Sequence, residues 1–215
     1  MVVAEYATRV LPGLLAVGLV LSGCTTTVTG DPAPDAAAMS VTRTTNAAST
    51  TKSHAPAKPL PFTPTIKNRT NDRTDGTSFE PCTAYTDAEL IAIDINPSSI
   101  RDAAQVDAAN YRGCRWNAND YTDSRGGGQY SQIVGREMGL DEYKRYMNTL
   151  QWQPDRQAHG RTIAYAPEKN YCISAFASEQ SIVTTIAGST NPSPGNKAEC
   201  DRAIAFASLA VSKAP

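Results

Sequence analysis

The sequence predicts an α+β domain: a twisted antiparallel sheet of about five strands with three helices packed mainly on one face, closed by two disulfides and preceded by a long disordered tether. Five short segments rich in Val, Ile, Thr, Tyr or Phe are bounded by Gly, Asn, Asp or Pro. Three other segments carry helix-start signals or a helical apolar period. The large apolar residues and four of the five cysteines lie in the C-terminal part of the 215-residue chain, from about Glu80 onward.

From the N-terminus, Val10 to Leu21 is an apolar run of about a dozen residues interrupted by Pro12, Gly13 and Gly18. A permanent span needs roughly 20 apolar residues. With Arg9 and Glu5 before it and small residues after it, the run reads as a secretory signal over residues 1–23, excluded from the fold. It ends in Leu21-Ser22-Gly23-Cys24, which resembles the lipobox of bacterial lipoprotein precursors. That resemblance implies a diacylglyceryl group on the Cys24 thiol, cleavage just before Cys24, and a chain anchored on the extracytoplasmic face of the cell membrane. Two acyl chains, at about 0.8 kcal/mol per buried CH₂, hold a protein stably where one holds it only marginally.

Residues 24–79 are rich in Thr, Pro, Ala, Asn and Asp, with few large apolar side chains and no periodicity. Such a segment does not bury enough to offset its ordering entropy, so it reads as a tether. As a flexible coil of about 55 residues it spans roughly 40 Å, more where its prolines stiffen it.

Residues 80–215 are the right size for a single core. Tyr85-Thr86-Asp87-Ala88-Glu89-Leu90 opens the first helix: Thr86 caps, Glu89 returns three residues later, and Tyr85 is placed to staple onto Leu90. That helix is expected to reach about Ile93 before Asn96-Pro97 breaks it. The strand signals are Gly113 to Asn117, Gln129 to Glu137, Thr162 to Ala166, Tyr171 to Ser178 and Ser181 to Ala187, the last two close enough for a hairpin through Glu179-Gln180. A second helix begins near Leu140, with Leu140, Tyr143, Met147 and Leu150 on one face and Pro154 marking its end. The third, opened by Asn196 with Glu199 three on, aligns Cys200, Ala203, Ile204, Ala207 and Val211.

Setting Cys24 aside, Cys82, Cys114, Cys172 and Cys200 allow three connectivities, and export places them in an oxidising compartment. Pairing neighbours, Cys82 with Cys114 and Cys172 with Cys200, is favoured because it closes two separate loops, each worth roughly 3.5 kcal/mol. Spacings of about 30 residues lack the C-x₂₋₄-C pairs of a zinc site, so no metal is expected. No cofactor motif is present either.

Functional classes narrow by what is missing. Lys plus Arg number 20 against 21 Asp plus Glu, a net charge of −1, with no basic stripe to meet nucleic acid. His159 is the only histidine after the tether, and no G-x-S-x-G elbow presents a serine to it. Asn117 to Ser124 has oxygen ligands at alternating positions but lacks the glycine and terminal glutamate of a calcium loop. Arg125-Gly126-Gly127-Gly128 precedes a strand rather than a helix, which makes it a turn rather than a phosphate cradle. No catalytic residues are assigned, and the chain is not read as an enzyme; an envelope hydrolase is the remote alternative.

The order of lipobox, Thr/Pro-rich tether, Pro81-Cys82 before Thr86-Asp87-Ala88-Glu89-Leu90, Gly113-Cys114-Arg115-Trp116, a cysteine in a later strand and one opening the last helix resembles mycobacterial-type secreted lipoproteins of actinobacteria with a cysteine-paired domain of unknown function. The resemblance covers Pro81 to the C-terminus. It implies a cell-envelope location and supports the paired disulfides, but brings no catalytic residues.

Aromatic residues interleaved with arginines in the middle third are the remaining lead, since Tyr, Trp and Arg dominate recognition surfaces. Trp116, Tyr121, Tyr130, Tyr143 and Trp152 form the candidate binding surface; the alternative places most of them in the core, with Trp116 packing on the disulfide beside Cys114. The stretch from Asn117 to Gln129 and the second helix are where a groove is expected, and an apolar pocket there would suit an envelope lipid or glycolipid. The expectation is thus a membrane-tethered binding or accessory module for an envelope lipid or a partner protein. A structural or interaction protein with no cavity is the alternative.

Overall fold

A computed structural model describes residues 58–65, 69–104, 112–122, 127–189 and 193–215. Cys24, the tether up to residue 57, Tyr111 and the stretch from Asp123 to Gly126 lie outside the described residues.

One antiparallel sheet of seven strands organises the domain, in the order β1-β2-β3-β7-β6-β5-β4. The strands are β1 (Ile95–Asp102), β2 (Arg112–Ala118), β3 (Gly128–Glu137), β4 (Arg156–Ala158), β5 (Arg161–Glu168), β6 (Tyr171–Ser178) and β7 (Ser181–Ser189); the helices are α1 (Asp87–Ile91), α2 (Leu140–Tyr146) and α3 (Asn196–Lys213). All five expected strands are present, but a count of about five is two short. β1 was hidden by Pro97, read as a breaker. Proline is tolerated here because β1 is an edge strand, and its register with β2 shifts between Asn96 and Arg101. β4, at the other edge, has only three residues and no apolar alternation.

Register shows how the core is built. Trp116 of β2 lies opposite Tyr130 of β3, which lies opposite Ala187 of β7, which lies opposite Cys172 of β6. This row packs with Cys200, Ala203 and Phe206 of α3 in one buried cluster, together with Leu90 of α1. A second cluster joins Val134, Ile163, Phe176 and Val183 of the sheet to Ala207, Ala210 and Val211 further along α3. Between them runs a polar row: Gln132 Nε2 donates to Thr185 Oγ1 at 3.0 Å, and Ser174 Oγ to the Ala203 carbonyl at 3.0 Å. These groups are buried and each finds a partner, as burial requires.

The helices do not all share that face. Thr184, whose neighbours Val183 and Thr185 point to the α3 side, donates to the Tyr143 hydroxyl at 3.3 Å. Side chains alternate along a strand, so α2 covers the opposite face while α1 and α3 share the first. Helix α2 is also shorter than its apolar period suggests. Its backbone stops at Tyr146, and the Trp152 indole N–H reaches the carbonyls of Lys144 and Met147 at 3.2 and 3.3 Å, satisfying chain-end acceptors that a longer helix would have used.

The caps agree in part. The Thr86–Glu89 capping box is present. Tyr85, placed to staple onto Leu90, instead sends its ring among Phe79, Trp116 and Phe206 and its hydroxyl to Gln132 Oε1. Helix α3 begins one residue after its N-cap, Gly195, at φ 91°, and Asn196 is its first helical residue rather than its cap.

The folded unit also begins before Glu80. Leu60 and Phe62 pack against the first core cluster, and Arg69, Thr74, Thr77 and Phe79 are buried. Buried Arg112 donates to the carbonyls of Thr74, Phe79 and Thr77 at 3.0, 2.8 and 2.8 Å. Backbone hydrogen bonds to one arginine thus order a segment too poor in apolar residues to be read as folded.

Both disulfides pair neighbours. Cys82 joins Cys114, tying the segment before α1 to β2, and Cys172 joins Cys200, fastening β6 to the first turn of α3.

Candidate functional site

The β4–β5 hairpin, Ala177 of β6 and α2 meet around one groove. The β4–β5 hairpin turns at His159-Gly160, with φ values of 49° and 76°, the positive pair a tight two-residue hairpin demands. His159 is exposed at this tip, which accounts for it as a turn residue. Gly139 precedes α2 with extended φ of −76° and ψ of 163°, so the chain leaving β3 folds back over the sheet. The result is a groove of about 650 Å³ lined by Gly139, Leu140, Asp141, Glu142, Arg145, Asp155, Arg161, Thr162 and Ala177.

Five of its lining residues are charged. Asp155 pairs with Lys144 at 2.9 Å, closing one wall. Arg161 donates through Nη2 to the Ala214 carbonyl at 3.0 Å, at the end of α3, while its Nη1 is buried without a hydrogen-bond partner. Arg145 lines the same space, and Asp141 and Glu142 stand on the first turn of α2. The lining thus combines apolar surface with charged residues of both signs.

The aromatic residues separate into two sets. Trp116 and Tyr130 are core: both are buried, and their rings meet Phe206 edge-on at 5.3 and 6.0 Å. Burial pushes the Tyr130 hydroxyl up to about 12, with Arg202 partly opposing it. They cannot serve as a binding surface. Tyr121 is half-buried beside Gly127, where φ is 138° and a Cβ would fall 2.7 Å from Tyr121 Cα, which excludes a side chain there. Tyr143 and Trp152 are half-buried on the α2 side, their rings 6.0 Å apart, and burial raises the Tyr143 hydroxyl from its ordinary value. Outside the core, the structure therefore brings together these two of the expected five, beside the groove rather than in it. Among the described residues no group of three or more His, Cys, Asp or Glu side chains is placed to hold a metal.

The second helix lines the groove, and none of the described residues of Asn117–Gln129 does. Arg161, Asp155 and Thr162 had no sequence signal as site residues. They converge only because the short strand β4 places Asp155 and the start of β5 beside α2.

The family model described as a protein of unknown function, DUF3558, matches residues 19–213. The chain belongs to this family. No curated protein and no solved structure matches it. The DUF3558 match spans both the disulfide-paired unit and the segment before it, so Leu60, Phe62 and Phe79, which pack into the core, fall within it. In this DUF3558 chain no helix among the described residues is long and apolar enough to cross a membrane.

Proposed function

We propose that the chain is a cell-envelope lipoprotein, of the mycobacterial type found in actinobacteria, whose folded unit is a membrane-tethered binding or accessory module. The observation that carries this is Leu21-Ser22-Gly23-Cys24 directly after the apolar run. Two disulfides within the folded unit suit an oxidising compartment.

The groove beside α2 is the module's binding site in this reading. Its five charged side chains favour the sugar or phosphate headgroup of an envelope glycolipid, or a polar stretch of a partner protein, over acyl chains. Anchoring through Cys24 keeps that groove near the lipid surface at high local concentration, so modest affinity suffices. The module is read as non-enzymatic, with no cofactor. A second reading, a structural protein with no ligand, draws support from the closed packing of Trp116, Tyr130 and Phe206.

The groove is tested by Ala177→Trp, which fills it from an exposed position on β6. Native mass spectrometry of wild-type protein purified from its own membranes is expected to show a co-purifying glycolipid or polypeptide that the variant lacks. Equal occupancy in both proteins would remove the groove from the account, and no adduct in either would favour the structural reading.

A further inference from the structure

The two disulfides are matched in burial but not in electrostatics. Cys82 and Cys114 are 6% and 0% exposed, Cys172 and Cys200 are 0% and 6%, and the loops they close, 32 and 28 residues, are nearly equal. Neither solvent access nor loop entropy separates them.

Charge does. Arg69, itself 7% exposed, places Nη2 3.0 Å from Cys82 Sγ and 3.1 Å from the Gly113 carbonyl. Glu80 lies 3.2 Å from its Nη1, accepts from the Cys82 N–H at 3.1 Å, and is shared with a second buried guanidinium, Arg112, at 3.7 Å. Of these groups it is the Arg69 guanidinium that stands against the Cys82 sulfur itself. At the other bridge, the carbonyl oxygens of Ala166 and Ile173 lie 3.3 and 3.7 Å from Cys172 Sγ, and their negative ends oppose charge on that sulfur. Thiolates form where cations stand beside the sulfur and are disfavoured in apolar or acceptor-lined sites, and a disulfide yields fastest when its leaving sulfur is a stabilised thiolate.

We propose that Cys82–Cys114 is a thiol–disulfide exchange site, reduced by a dithiol ahead of Cys172–Cys200, with Cys82 departing as a thiolate held by Arg69. One thiolate of the dithiol bonds to Cys114 Sγ as the Cys82–Cys114 bond breaks, and the electron pair leaves on Cys82 Sγ. The second thiol of the reductant then loses its proton and attacks its own mixed-disulfide sulfur, releasing Cys114, which takes up a proton. The bridge gains two electrons and the dithiol becomes a cyclic disulfide. Access to Cys114 comes with lifting of Leu60 and Phe62, which rest on the cluster containing both sulfurs. Reduction removes the covalent tie between Cys82 and β2.

The test titrates the oxidised full chain with dithiothreitol, blocks free thiols by alkylation, and maps them by peptide mass spectrometry. Cys82 and Cys114 are expected to label at about tenfold lower reductant than Cys172 and Cys200, the effect of one unit of differential thiolate stabilisation. Simultaneous labelling, or the reverse order, overturns the proposal. In a Cys114→Ser chain, alkylation of Cys82 against pH is expected to inflect about one to three units below the ordinary thiol value of about 8.5. Arg69→Gln raises that inflection and Arg69→Lys largely restores it, a pattern that loss of packing alone would not give. Should Arg69→Gln fail to fold, the Cys114→Ser profile still decides: an inflection at or above about 8.5 contradicts the assignment.

Discussion

Thr184 of β7 donates to the hydroxyl of Tyr143 on α2 at 3.3 Å, and this bond fixes the short helix to the sheet face opposite α3. Around it, the Tyr143 ring meets Trp152 edge-on, and the Trp152 N–H closes the carbonyl end of α2. Because none of the residues of α2 is fully buried, these contacts rather than a packed apolar stripe position the wall of the groove.

Trp152→Phe keeps the ring but removes the N–H shared by two terminal carbonyls. A loss of about 1 kcal/mol is expected, the net worth of a part-buried hydrogen bond. Hydrogen exchange localises it: faster exchange confined to the α2 amides agrees with the assignment, and unchanged α2 protection contradicts it.

Phe206 is fully buried and meets the rings of Tyr85, Trp116 and Tyr130 at 5.4, 5.3 and 6.0 Å. Phe206→Ala leaves a cavity between α3 and the sheet, and is expected to cost about 3–5 kcal/mol. The urea midpoint of the disulfide-intact protein measures it. A loss below about 1 kcal/mol would mean that the aromatic cluster collapses around the gap, and Phe206 would not be its centre.

Much of the fold was legible because local rules and packing agree. Thr86 and Glu89 form the expected box, the hairpin at Glu179-Gln180 is present, and neighbouring cysteines pair. What escaped has physical causes. Pro97 is permitted because β1 lies at an edge, and Arg69 and Arg112 fold a polar segment through backbone carbonyls and a carboxylate, neither of which leaves an apolar pattern. Phe206 was missed because α3 is rich in alanine, so one aromatic off the expected stripe carries much of its contact. The groove leaves little local signal, because Arg161 and Asp155 are far from α2 in sequence and meet it only through β4 and β5.

Acid stability follows from Glu89. Its carboxylate accepts from Lys213 in the last turn of α3 and from the backbone N–H of Thr86, and these bonds, the Lys213 bond first, hold it down to about 2 from an ordinary value of 4.5. A carboxylate with a depressed folded value stabilises above its unfolded value and loses that contribution as it protonates. Stability is therefore expected to be constant in this respect above about pH 4.5 and to fall from there toward pH 2. In Glu89→Gln that part of the fall disappears while stability at neutral pH drops. Identical urea midpoints for the two proteins at every pH would show that the Glu89–Lys213 contact does not persist in solution.

The central claim is that the folded unit is held at a membrane through Cys24 with its other cysteines oxidised. Intact-mass spectrometry of the protein extracted from its own membranes tests this most directly. The expected species begins at Cys24, carries a diacylglyceryl group on that residue and contains two disulfides. A chain that retains residues 1–23 with an unmodified Cys24 and four alkylatable thiols would contradict the account.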